Sequence, residues 1–237
     1  MLTLDRVQVS FGGVTALRNV TLGVAEGETV GLVGPNGAGK TTLFNVISGV
    51  VHPVAGSLSF RGKPLLKEPE WKRARLGIGR SFQIPRPLHH CTVRENLIVA
   101  QRFGAGKADP TRIDEILDLL KLAHKADRDA VTELALTEHK ALEVGKALAT
   151  DPALLLLDEV LAGLETAGKR AFMQTLGAVR DRFNLAMIVI EHDIPTISTL
   201  CPRVAVLNFG ELIADGTPDA VFRDAEVIRS YTGEAVA

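Results

Sequence analysis

Short apolar segments bounded by glycine occur in the first third of the chain and again in its second half, and they predict β-strands. Runs of about four to eight apolar residues next to turn residues are typical of buried strands. The predicted strands lie at residues 2–11, 21–24, 28–33, 57–60, 77–82, 153–157, 185–190 and 204–208.

Between residues 93 and 150 the pattern changes, because apolar positions recur at a spacing of three and four. Ile113, Ile116, Leu117 and Leu120 would share one helix face, and residues 137–149 are a second helix candidate. Another helix is expected at 167–182, between later strands. Alternating strands and helices predict an α/β fold with a parallel sheet, and the helical stretch is expected to be an inserted lobe.

Composition favours one compact domain plus a lobe, and it excludes several classes of protein. The 237 residues are 46% hydrophobic, and the net charge of -1 gives no electrostatic case for nucleic acid. No basic leader precedes an apolar segment, and no apolar run approaches the roughly 20 residues that span a bilayer. The two cysteines, Cys91 and Cys201, are too few for a disulfide framework and suit a reducing compartment. A single disulfide between them is the alternative.

The strongest chemical signal is the segment from Gly34 to Thr41, which fits G-x-x-x-x-G-K-[ST] directly after a predicted strand. Glycines let successive backbone N–H groups face a phosphate, and a helix beginning near Gly39 adds its positive dipole. Lys40 would reach the β and γ phosphates, and the Thr41 hydroxyl would bind Mg²⁺. The alternative is an ordinary glycine-rich turn. The candidate ATP-binding residues here are Asn36, Gly37, Ala38, Gly39, Lys40, Thr41 and Thr42.

A second signal is the pair of acids Asp158 and Glu159, which follows the apolar strand at 153–157. A carboxylate at the end of a buried strand can hold Mg²⁺ directly or through water, which is the role expected of Asp158. Glu159 is the candidate general base that polarises the water attacking the γ phosphate. Without a phosphate loop, the same residues would be read as a solvated acidic turn.

Two further polar residues are ambiguous by themselves. His192 follows the strand at 185–190, and it could hydrogen-bond the γ phosphate. Gln83 follows the strand at 77–82, and its amide could ligate Mg²⁺ or the attacking water. Single histidines and glutamines in such places are more often structural or solvent-exposed.

The order and spacing of these residues resemble the ATP-binding-cassette (ABC) ATPases over essentially the whole chain. The resemblance implies one nucleotide-binding domain, residues 1–237, with the P-loop NTPase fold: a mainly parallel RecA-like core sheet, an N-terminal antiparallel β part and a helical subdomain inserted at about 84–150. It also implies the cofactors ATP and Mg²⁺. The implied roles are adenine stacking for Phe11, the Walker A loop for 34–42, the Q-loop for Gln83, the Walker B acids for Asp158 and Glu159, and the switch histidine for His192.

The chain departs from this family at the signature, which usually reads LSGGQ and closes on the nucleotide of a partner cassette. Its place is taken by Ala135, Leu136, Thr137 and Glu138, so a hydroxyl and two glycines are lost. The carboxylate of Glu138 should repel a phosphate unless it is paired or turned away. Thr137 is expected to begin the following helix as a residue of the N-cap type.

The D-loop of the family, here Gly163, Leu164 and Glu165, also departs, since aspartate or asparagine is usual at its end. Val160 stands where proline is common. In this family the signature and the D-loop act on the partner's nucleotide. We therefore hypothesise an asymmetric pair, in which a different cassette with an intact signature closes over the Walker A and B site of this chain.

Four segments resemble the ATP-binding subunits of branched-chain amino acid importers. They are residues 80–83, 92–97, 190–193 and 216–234. Such importers use two different cassettes, two membrane permeases and a periplasmic or extracellular solute-binding protein. The resemblance therefore implies a peripheral subunit at the cytoplasmic face of the membrane. Cassettes of urea or amide transporters, and those of lipopolysaccharide exporters, resemble this chain equally well in these segments. A low-turnover ATP-dependent clamp is a further alternative, although Glu159 and His192 favour turnover.

Residues 84–92 directly follow Gln83 and are the candidate permease contact, with an irregular connector as the alternative. The run His89, His90 and Cys91 within this segment could suggest a metal site. Adjacent side chains diverge, however, and no second ligand pair with zinc-like spacing is evident. The metal reading is therefore disfavoured.

Overall fold

The computed structural model describes residues 1–232, which fold into two compact units. The first contains residues 1–73 and 188–232, and the second contains residues 74–187. In chain order the elements are β1 (Leu2–Phe11), β2 (Val14–Val24), β3 (Thr29–Val33), α1 (Lys40–Ser48), β4 (Ala55–Phe60), β5 (Lys63–Pro64), α2 (Glu70–Arg75), β6 (Ile78–Arg80), α3 (Val93–Gly104), α4 (Pro110–Leu119), a 3₁₀ turn (Ala123–Lys125), α5 (Leu136–Ala149), β7 (Leu154–Asp158), α6 (Thr166–Phe183), β8 (Ala186–Ile190), α7 (Ile194–Leu200), β9 (Arg203–Asn208), β10 (Glu211–Gly216), α8 (Pro218–Val221) and α9 (Ala225–Thr232).

An antiparallel sheet in the order β2-β1-β4-β5 lies in the first unit. Leu2 pairs with Val24 on one side and with Phe60 on the other. Leu2 and Leu4, and then Val7 and Val9, are the buried residues of β1, as expected for a strand with one face on the core; the alternation shifts by one residue between Leu4 and Val7, where the register also shifts. This confirms the N-terminal antiparallel part, although the sequence predicted only residues 21–24 of β2. The first half of β2 was missed because Arg18 and Asn19 interrupt its apolar pattern.

A second sheet in the first unit has the order β10-β9-β3-β8. Strand β3 runs parallel to β9, and β9 runs antiparallel to β10. Strand β3 is buried at every position, which is typical of strands covered on both faces. Strand β10 was not predicted, because its side chains are half-buried or exposed and form no apolar run. Within β8 the chain passes from the second unit into the first.

In the second unit, β6 pairs in parallel with β7, so that Ile78 lies opposite Leu154 and Arg80 opposite Leu156. Helices α3, α4 and α5 pack against one another in the same unit. The spacing of Ile113, Ile116 and Leu117 correctly predicted α4, whose buried face they form. The predicted helix at 137–149 is confirmed as α5, and the bounds of a separate helical subdomain stay a prediction.

The structure bears on three features that the sequence analysis considered: the cysteines, a metal site and a membrane span. Cys91 and Cys201 are both free thiols; burial raises the pKa of Cys201 to about 12, with a further contribution from the Glu191 charge. Over residues 1–232, no group of three His, Cys, Asp or Glu side chains could hold a metal ion. None of the helices in that range is long and apolar enough to cross a membrane.

The C-terminal stretch with the importer-like residues begins at the last residue of β10 and forms α8 and α9 in the first unit. Its final residues, Gly233 and Glu234, lie outside the described residues.

Candidate functional site

The glycine-rich loop between β3 and α1 has a backbone that only glycine can adopt at two positions. Gly34 has φ of 144°, and a Cβ atom there would lie 2.0 Å from Leu207 O. Gly39, with φ of 106°, is the N-cap of α1, and its Cβ would lie 2.8 Å from Ala16 O. A side chain at either position would collide with a backbone carbonyl. The glycines of the motif are therefore required by close packing as well as by backbone conformation.

Lys40 is only 6% exposed and lies inside this loop. Its Nζ donates to Gly34 O at 2.6 Å and to Pro35 O at 2.9 Å. Thr41 and Thr42 follow in the first turn of α1, where the helix dipole favours an anion. A buried ammonium, a helix N-terminus and hydroxyl groups together suit a phosphate. Asn36, Gly37 and Thr41 are exposed, Gly39 and Thr42 are half-buried, and Ala38 and Lys40 are buried.

The turn between β9 and β10 is hydrogen-bonded to the loop on one side and to β2 on the other. Gly210, in the turn between β9 and β10, donates its N–H to Ala38 O at 2.9 Å and accepts from Arg18 N at 2.7 Å. Its φ is 82°, and a Cβ there would lie 2.7 Å from Ala16 O. The sequence reasoning missed Gly210, since a single glycine after a strand carries no motif.

Phe11 and His192 also belong to the first unit. Phe11 is 52% exposed at the end of the β1–β2 hairpin, and β2 is also the strand that brings Ala16 to the phosphate loop. His192 is exposed directly after β8. The next residue, Asp193, caps α7 by accepting from Thr196 N at 3.1 Å. Adenine stacking by Phe11 and phosphate sensing by His192 stay predictions.

Asp158 lies at the end of β7 and is 8% exposed. Arg80 Nη2 is 3.6 Å from its Oδ2, and Ser81 Oγ accepts from Asp158 N at 3.3 Å. Arg80 was not identified as a site residue from the sequence. It reaches Asp158 because β6 and β7 are parallel neighbours whose carboxyl ends meet at one edge. The guanidinium partly balances the charge of a carboxylate that was predicted to hold Mg²⁺.

Gln83 and Glu159, two predicted site residues that lie 76 positions apart in the chain, are in direct contact. The Gln83 amide Nε2 donates to the Glu159 carboxylate. Lys140 of α5, which the sequence reasoning also missed, donates to Gln83 O at 2.7 Å and to Glu159 O at 3.2 Å. The second unit therefore gathers a carboxylate, an amide and a buried ammonium at one place.

The segment in place of the signature has its carboxylate fully engaged. Glu138 accepts from Ala135 N at 2.8 Å and from Lys125 Nζ at 2.7 Å, and His124 Nε2 lies 3.5 Å away. Partial burial acts to raise the pKa of Glu138. The hydrogen bonds from Lys125 and Ala135 and the charges of Lys125 and His124 outweigh it, so the pKa lies below its usual value. The carboxylate is therefore paired, which is the condition under which repulsion of a phosphate is reduced.

The predicted N-cap role of Thr137 is wrong. Helix α5 begins at Leu136 with Ala135 as its N-cap residue, and Thr137 lies within the first turn. The helix begins earlier in the chain than predicted, because the Glu138 carboxylate accepts a hydrogen bond from the Ala135 N–H, which would otherwise be unsatisfied.

The predicted D-loop lies next to this helix start. Gly163 has φ of 79°, and a Cβ there would lie 3.5 Å from Leu136 Cδ2. Leu164 is buried, and Glu165 is the N-cap residue of α6, although its side chain accepts no capping hydrogen bond. The structure therefore brings the D-loop and the altered signature together within the second unit.

The predicted Mg²⁺ ligands are all oxygen donors of the kind that this cation prefers: a hydroxyl from Thr41, an amide from Gln83 and a carboxylate from Asp158. Their chemistry fits a magnesium ion bound together with a nucleotide. The metal itself stays a prediction.

A strand, a glycine loop with a buried lysine and a following helix define a P-loop nucleotide-binding protein. A family model described as ABC transporter matches residues 17–162. The chain belongs to the ABC transporter family of ATP-binding proteins, whose members bind and hydrolyse ATP. A second model, described as branched-chain amino acid ATP-binding cassette transporter, matches residues 211–237.

Individual relatives agree with this assignment. The chain is 34% identical to the high-affinity branched-chain amino acid transport ATP-binding protein LivG of Escherichia coli strain K12, covering 99% of this chain and 98% of that protein. Identity to BraF of Pseudomonas aeruginosa, with the same description, is also 34% with the same coverage. Among solved structures, the ADP conformation of MJ1267, an ATP-binding cassette of an ABC transporter, has a TM-score of 0.89 at 28% identity and covers 99% of both chains.

Proposed function

We propose that this chain hydrolyses MgATP to power the import of branched-chain amino acids through partner permeases, at the cytoplasmic face of the cell membrane. The observation that carries the proposal is the identity of 34% to LivG and BraF over 99% of the chain. The full system would include a second, different cassette and a periplasmic or extracellular solute-binding protein. The net charge of -1 gives no reason to expect nucleic acid as a partner.

Each site residue has a proposed part in this reaction. Lys40 and the loop amides bind the phosphates, and Phe11 stacks on adenine. Thr41, Asp158 and Gln83 hold Mg²⁺, which neutralises charge on the phosphates. Glu159 accepts a proton from the attacking water, a contribution of about 10² to 10⁴ in rate. The remaining residues, Asn36, Gly37, Ala38, Gly39, Thr42 and His192, surround the phosphates.

The test compares wild type with Glu159→Gln, which keeps the shape of the side chain and removes the base. We expect turnover of ATP to fall roughly hundredfold or more, whereas binding of a fluorescent ATP analogue is retained. Lys40→Ala, in contrast, is expected to lose the binding itself. In cells lacking the native gene, both variants should fail to restore uptake of radiolabelled leucine.

Two results would contradict the proposal in different ways. Normal turnover by Glu159→Gln would remove Glu159 from its role as the base. Normal leucine uptake without this gene, combined with lost uptake of radiolabelled urea or amides, would assign the chain to a related importer.

We propose residues 84–92 as the permease contact, and their structure supports this. The backbone is held from both sides: Arg86 N donates to Glu143 Oε1 at 2.6 Å, and Leu88 N donates to Asn96 Oδ1 at 2.7 Å. Ile84 is 68% exposed in the same segment. A fixed backbone that presents an apolar side chain to solvent is suited to contact another protein.

A low-turnover ATP-dependent clamp is the second candidate. It is favoured by Ala135, which lacks the hydroxyl of the usual signature, and by Glu138, whose carboxylate is occupied by Lys125. The two candidates predict different turnover in wild type but the same binding of ATP. A clamp would show turnover that Glu159→Gln leaves unchanged.

A further inference from the structure

Lys140 is a charged side chain, buried in the second unit, that no sequence motif explains. It lies in the second turn of α5 and is 4% exposed. Burying an ammonium group is costly unless hydrogen bonds compensate for the lost hydration. Its Nζ donates to the backbone carbonyl oxygens of Gln83 and Glu159, at 2.7 and 3.2 Å. The cation therefore joins three separate parts of the chain.

The backbone that Lys140 contacts is strained at Glu159. Its φ is 50°, a left-handed conformation that residues other than glycine rarely adopt. Such a conformation persists only where neighbouring groups hold it. Glu159 O accepts from Ala162 N at 3.2 Å as well as from Lys140. The carbonyl of the strained residue is thus fixed by one backbone donor and one buried cation.

The side chain of Glu159 is oriented from the same direction. Its carboxylate accepts from Gln83 Nε2, and the backbone of Gln83 is in turn held by Lys140. A shift of the Lys140 ammonium would therefore move both the backbone of Glu159 and the amide that contacts its carboxylate. Displacements of about 1 Å in a catalytic group can cost roughly a hundredfold in rate.

We propose that Lys140 is a positioning residue for ATP hydrolysis, because its buried ammonium holds Gln83 and Glu159 in one fixed arrangement. The inference rests on the proposed role of Glu159 as general base. It adds that the orientation of this base depends on α5, the helix that also carries the altered signature segment.

The test measures kcat, KM and binding of a fluorescent ATP analogue for Lys140→Met, which keeps the length of the side chain and removes its charge. We expect kcat to fall roughly ten- to hundredfold, with KM and analogue binding within about twofold of wild type. Lys140→Arg, which can still donate to both carbonyls, should recover much of the loss. Arg112→Met is the matched control, because Arg112 is another largely buried cation of the second unit, stacked on Phe183 at 3.4 Å.

A second comparison separates positioning from a general loss of structure. If Lys140 acts through Glu159, adding Lys140→Met to Glu159→Gln should lower single-turnover hydrolysis of radiolabelled ATP no further. Arg112→Met should reduce the temperature of unfolding and leave kcat unchanged. Should Lys140→Met fail to fold, Lys140→Gln, which can donate to one carbonyl, is expected to show the same selective loss in kcat.

The outcomes distinguish this inference from the proposed function. Unchanged turnover in Glu159→Gln would overturn the role of Glu159 and the positioning role together. Lost turnover in Glu159→Gln with normal kcat in Lys140→Met, or in Lys140→Gln if that variant is used, would overturn the inference alone. A further, additive loss in the double variant, or equal losses in kcat and analogue binding, would show that Lys140 is only structural.

Discussion

Within residues 1–232, three cations are almost completely buried, and each donates to backbone carbonyl oxygens at a different place. Lys40 does so in the phosphate loop and Lys140 at Gln83 and Glu159. Arg73 of α2, 1% exposed, donates to Val46 O at 2.6 Å and so satisfies the C-terminal end of α1. Because buried cations are costly without partners, these residues mark places where the backbone must be held in one geometry.

A titration at the residue scale tests the pairing of Glu138 with Lys125. The pKa of Glu138 is lower in the folded protein than its ordinary value of 4.5. The carboxylate therefore stabilises the fold fully above that value, and the contribution is lost as pH falls through the folded-state pKa. Glu138→Gln keeps an acceptor for Ala135 N and loses the charge.

We expect the free energy of unfolding of Glu138→Gln to be lower than that of wild type by about 1 kcal/mol at pH 7. The difference should shrink as the pH is lowered below about 4.5. Urea unfolding at a series of pH values measures it. A difference that does not change with pH would mean that the charge contributes nothing.

At the scale of elements, the phosphate loop depends on β2 and on the turn between β9 and β10. Ala38 O accepts from Gly210 N, and Gly210 O accepts from Arg18 N. The loop is thus held by backbone contacts from strands that are distant in the sequence. Parallel neighbours β3 and β9 explain why this turn reaches the loop, since the turn follows β9 at the end where the loop follows β3.

Substitution of Gly210 tests this support. In Gly210→Ala, the new Cβ would lie 2.7 Å from Ala16 O, in addition to the strain of a φ of 82°. We expect the protein to lose about 2 to 3 kcal/mol of stability and to bind a fluorescent ATP analogue roughly tenfold more weakly. Thermal unfolding and a binding titration measure the two effects.

Gly62→Ala is the matched control for this substitution. Gly62 has a φ of 74°, and a Cβ there would meet nothing within 4 Å. It should cost about 1 kcal/mol from backbone strain and leave analogue binding unchanged. Equal effects of the two substitutions would show that the turn does not support the loop.

At the scale of the whole molecule, the altered signature bears on how this cassette associates. Ala135 supplies no hydroxyl, and the Glu138 carboxylate is bound by Lys125. We therefore expect this chain by itself to close poorly over the nucleotide of a second copy. A different cassette with an intact signature would complete the assembly that was proposed above.

Light scattering on the Glu159→Gln variant tests this expectation, because loss of the base should trap any ATP sandwich that forms. With MgATP, we expect this variant to bind nucleotide and remain a monomer. Adding Ala135→Ser, Thr137→Gly and Glu138→Gln should increase the fraction of dimer. A stable ATP-dependent dimer of Glu159→Gln without these changes would instead support a homodimeric motor.

Features encoded by neighbouring residues could be predicted well from the sequence. The phosphate loop is one contiguous motif, and the apolar runs at 28–33 and 153–157 correspond to β3 and β7 because burial on both faces requires continuous apolar residues. Strand β10 and the first half of β2 were missed, since their exposed positions lack such a run. The start of α5 was predicted too late in the chain, because it is decided by the hydrogen bond from Ala135 N to the Glu138 side chain.

The sequence by itself therefore determined the class of protein, the nucleotide chemistry and most of the strands, since these depend on local motifs and on burial patterns. Only the tertiary structure decided which groups surround the predicted site acids, Asp158 and Glu159. Gln83 meets Glu159 across 76 positions, and Lys140 meets Gln83 across 57. Arg80 reaches Asp158 through the pairing of two strands. Such contacts are set by the packing of distant segments, and no local pattern of residue types records them.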